Sequence, residues 1–502
     1  MNKAWLTAVN IVVIKNNRDP RINHASRTDC SEQALLFPEL ISRKTVTVDF
    51  NGGHVSSDGG GVLLARLDRS YGYVKRFERC FTDHRDPELV EHSLLELLRQ
   101  RVYGLALGYE DLNDHDRLCQ DPLLAALCGK SDPLGKDRER VENKGKALAG
   151  KSTLNRLELT PANATAKSRY KKIVARPQDI EEFFIREYVR SLGKETTEVV
   201  LDLDRTDDPL HGEQEGRHFN AYYREYCYTP LYIFDGHWPV VAALHTADGE
   251  HLDETIRLLG LIVRSLRERL PNLRIIIRGD SGFCRPELMV WCEQNNVHYV
   301  LAMRRNKALE RILRATLRSV QALQERHQSE RERLYKDFRY AARTWGPKRK
   351  RPRRRVVGKA ECNREGPGAR FVITNLKREQ WAAQALYEQL YCARGDMENR
   401  IKEQQLDLYA DRTSTETLRA NQLRLWFSTL AYLLMNQLRR VGLAGTELAK
   451  ATCGTIRTRL LKIGAVITVT VRRVWVHLSS AFPLQELISV VARQIKPLED
   501  SG

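Results

Sequence analysis

The sequence predicts the α/β class: a mixed sheet interrupted by a β-rich insertion, flanked by a helical N-terminal region and an α+β C-terminal tail. Three observations predict it. Two short apolar runs, Val199-Val200-Leu201-Asp202-Leu203-Asp204 and Leu273-Arg274-Ile275-Ile276-Ile277-Arg278-Gly279-Asp280, each end on an aspartate and read as buried strands. Tyr226–Phe234 and Pro239–Leu244 flank Asp235-Gly236-His237, a hairpin signal. Helical periodicity at Asp253–Leu270, with Leu258, Leu259, Ile262 and Leu266 on one side, and at Arg285–Asn295 separates strand runs, as in a sheet with helical crossovers.

Taken in order, residues 1–40 lack periodicity and read as a flexible extension. Residues 41–195 form a mainly helical region. In it, Thr45–Phe50 alternates as a strand turned by Asn51-Gly52-Gly53, and Ser57-Asp58-Gly59-Gly60-Gly61 leads into an apolar segment at Val62. A helical pattern then runs from Pro87 to about Leu127, residues 130–150 read as a polar linker, and helices resume near Ser152 and at Gln178–Leu192. Residues 196–303 give a strand at 198–204, the hairpin, a helix, the strand Leu273–Ile277, a helix, and the strand Val297–Met303. That order is the order of a ribonuclease-H-like (RNase H-like) domain. It puts the first aspartate on the first strand and the second just after the fourth, near one end of the sheet, where α/β sites form. Residues 304–381 break the pattern with a charged helix at about 307–336 and strands at Phe338–Arg343 and Arg370–Thr374, a β-rich insertion. Residues 382–425 return to the core with a helix carrying Glu398. Residues 426–502 form the C-terminal region, where the helix begun at Leu418 runs to Val441, Val466–Val471 alternates, and a last helix follows Pro483.

The chain has 502 residues, enough for two to four domains, and its 42% hydrophobic content supports a real core. Its net charge of +18 is spread along the chain, which suits a protein lying along a polyanion. The ten cysteines show no zinc spacing and read as reduced core residues, Cys128, Cys292 and Cys392 among them, of a cytoplasmic protein. The apolar stretch Ala4–Ile14 is too short to span a bilayer and no small-residue cleavage site follows it.

Asp204, Asp280 and Glu398 are two strand-end aspartates and a helix glutamate, the ligand types of a two-magnesium phosphoryl-transfer site. In a chain this basic the phosphate is expected to be that of DNA. Asp202 and Asp204 point to the same strand face, so spacing leaves either as the first acid. Asp280 also reads as an N-cap of the 285–295 helix, and Gly282 allows a tight turn after it. Tyr391, Arg394, Glu398, Lys402 and Gln405 recur at three- and four-residue steps and share one helix face, which by itself also describes a solvated charged surface.

Tyr391-x2-Arg394-x3-Glu398 resembles the Tyr-x2-Arg-x3-Glu-x6-Lys helix of bacterial insertion-sequence DDE transposases, with Gln405 where the lysine is expected and Lys402 one turn earlier. Asp280-Ser281-Gly282-Phe283 is similar to the second-acid motif of these families, and Asp204-Arg205-Thr206 to their first, which favours Asp204 over Asp202. The resemblance runs from about residue 41 to the end and is strongest over 198–303 and 386–425. It implies catalytic, metal-holding Asp204, Asp280 and Glu398 with two Mg²⁺ ions, or Mn²⁺ in their place. It further implies backbone contacts from Tyr391, Arg394 and Lys402, cleavage at terminal inverted repeats, strand transfer into target DNA, and a homodimer holding two ends. Region 87–192 is the candidate for end recognition, and the compartment implied is the bacterial cytoplasm, at the nucleoid, with neither membrane nor nucleotide cofactor. An RNase H-fold nuclease or resolvase without strand transfer, and a dead DNA-binding copy, are the alternatives.

Two further motifs compete for phosphate. Lys348-Arg349-Lys350-Arg351-Pro352-Arg353-Arg354-Arg355 is the densest basic run, and Arg349, Lys350, Arg353 and Arg354 are candidate DNA contacts, with a solvated hairpin tip as the plainer reading. Gly145-x4-Gly150-Lys151-Ser152 fits the Walker A pattern, but Asp137–Lys144 before it is no buried strand, so it reads as a chance match and not as a P-loop ATPase. The tryptophans read as core residues, with base stacking the alternative role for Trp345.

Overall fold

Long-range pairing gathers eight strands into one mixed sheet. In chain order they are β1 (Glu198–Arg205), β2 (Leu231–Asp235), β3 (Trp238–Ala243), β4 (Arg274–Gly279), β5 (His298–Met303), β6 (Arg331–Tyr340), β7 (Arg354–Asn363) and β8 (Gly366–Thr374). Across the sheet they run β3-β2-β1-β4-β5-β8-β7-β6. The β1–β4 and β4–β5 pairs are parallel and all others antiparallel. This computed structural model describes residues 35–41, 44–347 and 351–496; Arg349 and Lys350, and residues 1–34 of the expected extension, lie outside the described residues.

The centre of the sheet follows from composition. Ile275, Ile276 and Ile277 of β4 are fully buried, as a parallel strand covered on both faces requires. Helix α1 (Leu252–Arg269) joins β3 to β4 and buries Leu258, Leu259, Ile262, Val263 and Leu266. Asp253 and Glu254 lie in its first turn and Arg267 and Arg269 in its last, complementing the helix dipole. Helix α2 (Pro286–Gln294) joins β4 to β5.

The insertion departs from expectation at its charged helix. The charged helix α3 (Lys307–His327) stops nine residues short of the expected end at 336: Gln328 takes a left-handed conformation, and Arg331–Tyr340 is strand β6. β6 pairs with β7 along its whole length, and this partner, not local charge, decides its conformation. The insertion is β-rich, as expected, and its strands belong to the main sheet. β8 pairs with β5, Val300 opposite Thr374 and Met303 opposite Phe371, so the main sheet continues through it.

The N-terminal region is more broken than its periodicity suggests. The expected helix from Pro87 to Leu127 divides into Pro87–Leu89, Leu94–Leu107, His115–Leu118 and Pro122–Cys128. A capping box between Ser93 and Glu96 opens Leu94–Leu107, and Gly108, at φ +96°, closes it. Leu35–Ile41 is a strand paired with Lys44–Val48, so the expected loose extension is ordered there. His54–Ser56 pairs with Ala465–Val469, which pairs with Val474–Leu478, joining both chain ends in one small sheet. Helix α4 (Gly395–Lys402) carries Glu398, and α5 (Leu418–Gln437), buried on nearly all sides, packs between β3 and Leu94–Leu107. The nine described cysteines are unpaired; seven are buried, but Cys392 is exposed, against its reading as a core residue. Among the described residues no helix is long and apolar enough to cross a membrane.

Candidate active site

Strand parity brings the site together. Ile276 and Arg278 of β4 lie opposite Val200 and Asp202 of β1, so Val200, Asp202 and Asp204 share a sheet face with Ile276, Arg278 and Asp280 just beyond. Ile276, Val300, Val357 and Val372 on that face are covered by Leu386, Tyr387 and Leu390. These three residues begin the helical segment that leads to Glu398, so all three sequence-predicted acids belong to one side of the sheet.

Asp202 and Asp204 differ in their partners. Asp202 is 2% exposed, and Arg278 donates from Nε and Nη2 to its two carboxylate oxygens, both at 2.6 Å. Arg278 Nη1 donates to the Leu390 carbonyl at 2.6 Å, tying the acid's counter-ion to the covering segment. Asp204 lies one residue before the end of β1 with its side chain 14% exposed, and Arg394 Nη2 approaches its Oδ1 at 2.6 Å. Arg394 Nη1 is 3.7 Å from Glu398 Oε1, so one guanidinium spans the first and third acids. Burial, opposed by Arg394 and reinforced by the charges of Asp280 and Glu398, raises the Asp204 carboxyl to about 6. Asp280 follows β4 in a turn in which the Gly282 N–H donates to its Oδ1 at 2.9 Å. Phe283 is buried and packs so close to Gly279 that a Cβ there would lie 3.0 Å from its ring. Among the described residues no group of three or more histidines, cysteines, aspartates and glutamates is arranged to hold a metal ion. The Arg394 guanidinium lies between two of the acids concerned.

The helix bearing Glu398 is irregular. Residues 386–391 and 403–407 form wide π turns, and 392–394 a tight 3₁₀ turn, on either side of α4. The single face expected for five residues is therefore split. Arg394 turns inward with its side chain 11% exposed, Glu398 is 56% exposed, and Lys402 is exposed. Gln405, where the resembling families carry lysine, donates from Nε2 to the Asp207 carbonyl and to Asp208 Oδ1, both at 3.1 Å. Asp208 is fully buried, which pushes its carboxyl well above the usual range, so the group facing Gln405 favours a neutral partner. Tyr391 packs on Tyr387 and, with Ser281, Arg304, Arg305 and Arg370, lines a groove of about 510 Å³ beside Asp280.

Of the basic run, Arg353 is exposed. Arg354 is a correction to its expected place at a DNA surface: it is 5% exposed and gives Nε and Nη2 to Glu293 at 2.6 and 2.9 Å. Trp345 is likewise buried, with Arg354 against its ring, and offers no face to a base. At the Walker-like motif, Asp116 Oδ1 accepts from the Lys151 backbone N–H at 3.0 Å, so a carboxylate stands where a phosphate would be cradled. The residue that sequence reading passed over is Arg278. A charge inside an apolar strand run, facing another such charge in Asp202, was the signal available.

No curated protein matches the chain. A family profile described as Transposase DDE domain group 1 matches residues 38–500. That match extends over nearly the whole chain, from the first described strand to beyond the last helix, and the chain belongs to this DDE transposase family.

Proposed function

We propose that the protein cuts DNA at terminal inverted repeats and transfers the freed 3′ ends into target DNA, using Asp204, Asp280 and Glu398 on an RNase H-like core. The observation that carries this reading is the approach of the three acids on one side of the sheet: Asp204 near the end of β1, Asp280 just after the adjacent β4, and Glu398 linked to Asp204 through Arg394, which is 3.7 Å from the former and 2.6 Å from the latter. The strand order β3-β2-β1-β4-β5, antiparallel then parallel, supports the core assignment. The engagement of both Asp202 oxygens by Arg278 supports Asp204 as the first acid.

All three groups are carboxylates, the donor type a hard cation takes, and Arg394 must leave Asp204 and Glu398 before they can close on one. Asp204, Asp280 and Glu398 would hold two Mg²⁺ ions, with Mn²⁺ as a substitute, which supply an activated hydroxyl nucleophile and a counter-charge for the leaving 3′-oxygen. Arg394 would release Asp204 and take a phosphate oxygen, a group its planar fork fits equally well. Lys402 and Tyr391 would contact the backbone on either side, with Arg353, Arg349 and Lys350 along the insertion. One phosphodiester replaces another, so no nucleotide is consumed. Two copies would hold the two ends of one element.

The test is an in vitro reaction with inverted-repeat DNA, target plasmid and Mg²⁺. Asp280→Asn and Glu398→Gln should each lower joined product by well over the roughly 100-fold that loss of a supporting ligand contact costs. Unchanged activity in both variants would refute the assignment. Cleaved but never joined DNA would replace it with a nuclease.

A further inference from the structure

We propose that a second, basic cleft, apart from the three acids, grips a DNA phosphodiester backbone; the identity of this polyanion rests on the transposase reading above. The cleft, about 860 Å³, opens between residues 151–171 of the N-terminal region and residues 412–424 that follow the Glu398 helix. Three of its cations are neutralised. Lys151 pairs with Asp116 at 3.3 Å, Arg412 with Asp111 at 3.2 Å, and Arg424 with buried Glu158 at 2.7 Å. The other three, Arg156, Arg169 and Lys171, are exposed, and among the described residues none has a carboxylate within ion-pair distance.

Three like charges on one wall repel one another, and a polyanion relieves that repulsion. Their placement is also pre-set. Tyr170 is 54% exposed, and the guanidiniums of Arg156 and Arg169 each lie 4.8 Å from its ring centre. Cation–π contact holds the two forks in position, which lowers the ordering cost of binding. Ser152, Asn155 and Ser168 add neutral hydrogen-bonding groups along the same surface. A nucleotide fits less well, because the Asp116 carboxylate occupies the Lys151 N–H.

The far wall connects this cleft to the frame of the candidate active site. Gln214 Nε2 donates to the Thr413 carbonyl at 3.2 Å, and the Glu215 N–H donates to the Glu416 carbonyl at 2.8 Å. Gln214 and Glu215 lie in the segment between β1 and β2, just after the short strand Asp208–Pro209 that follows β1. A strand held in the cleft is thus anchored to the same frame as the first acid.

The test is fluorescence anisotropy of the full-length protein with a labelled random-sequence duplex across a salt series. The triple variant Arg156→Ala, Arg169→Ala, Lys171→Ala should flatten the slope of log affinity against log salt by roughly 0.9 per lost contact, about 2.7 in all. Its thermal midpoint should match wild type, since the three side chains are exposed. The charge-keeping variant Arg156→Lys, Arg169→Lys, Lys171→Arg should retain most of the slope. A triple variant with the wild-type slope would overturn the cleft while leaving the transposase reading intact. A wild type that binds no DNA would overturn both. ATP binding abolished by Lys151→Ala would reassign the cleft to a nucleotide.

Discussion

At the scale of residues, Asp202 and Asp204 show how one side chain takes opposite roles two positions apart. Both point to the same face of β1, so spacing alone leaves the choice open. The deciding partner is Arg278, 76 residues away, which takes both oxygens of Asp202. Removing one member of a buried, bidentate pair leaves an uncompensated charge. Asp202→Ala is therefore expected to cost about 3–5 kcal/mol in urea unfolding. Asp204→Asn is expected to change stability by less than about 1 kcal/mol, because burial already favours the uncharged form of Asp204 and a carboxamide still accepts from Arg394. The same variant is expected to lose DNA joining. If the two variants exchange these phenotypes, the first acid is Asp202. The replacement of lysine by Gln405 has a comparable origin. Its carboxamide faces buried Asp208 and a backbone carbonyl, a setting that the one-dimensional motif does not contain.

At the scale of elements, the strands and crossover helices of residues 198–303 were legible because their own composition requires them. β4 has too few residues for a helix and buries on both faces, and α1 carries its apolar stripe and charged ends. The turn after β4 was legible at Gly282, whose N–H donates to Asp280, whereas the close packing at Gly279 was not. Gly279→Ala would press a methyl to 3.0 Å from Phe283 and 3.2 Å from Leu301. It is expected to cost about 1–3 kcal/mol and to lower joining by displacing Asp280. Comparing the variant's melting curve with its joining rate tests both parts. The insertion was less legible because β6 is specified by β7 and not by its own pattern. Within the basic run, identical arginines diverge for the same non-local reason. Arg354 clasps Glu293 at the end of α2, whereas Arg353 faces solvent. Arg354→Ala is expected to lower stability by about 1–3 kcal/mol and Arg353→Ala by no more than about 0.5 kcal/mol. Equal effects in denaturant titrations would mean that the clasp contributes nothing.

At the scale of the whole molecule, what no local pattern showed is the joining of distant segments: His54–Ser56 with the 465–478 hairpin, and α5 between β3 and Leu94–Leu107. Pairing over that separation depends on shape and burial, which leave no periodic trace. It also encloses polar groups. Burial lowers His92, His115 and His245 to about 3. His115 lies beneath Leu94–Leu107, its Nδ1 3.0 Å from Gln100 Nε2. An unfolded chain would protonate each near 6.5. Between about 3 and 6.5 the unfolded state therefore binds more protons, and each histidine makes stability fall as pH drops through that window. Buried acids whose values are raised, such as Asp208, act in the opposite sense, so the total acid profile does not isolate the histidines. A paired comparison does. His115→Gln is expected to destabilise the protein near neutral pH by about 1–3 kcal/mol through lost packing. Because the variant has no proton to take up there, its deficit against wild type should shrink steadily as pH falls below 6.5. A deficit that stays constant in urea titrations across that window would mean that His115 accepts its proton inside the folded protein.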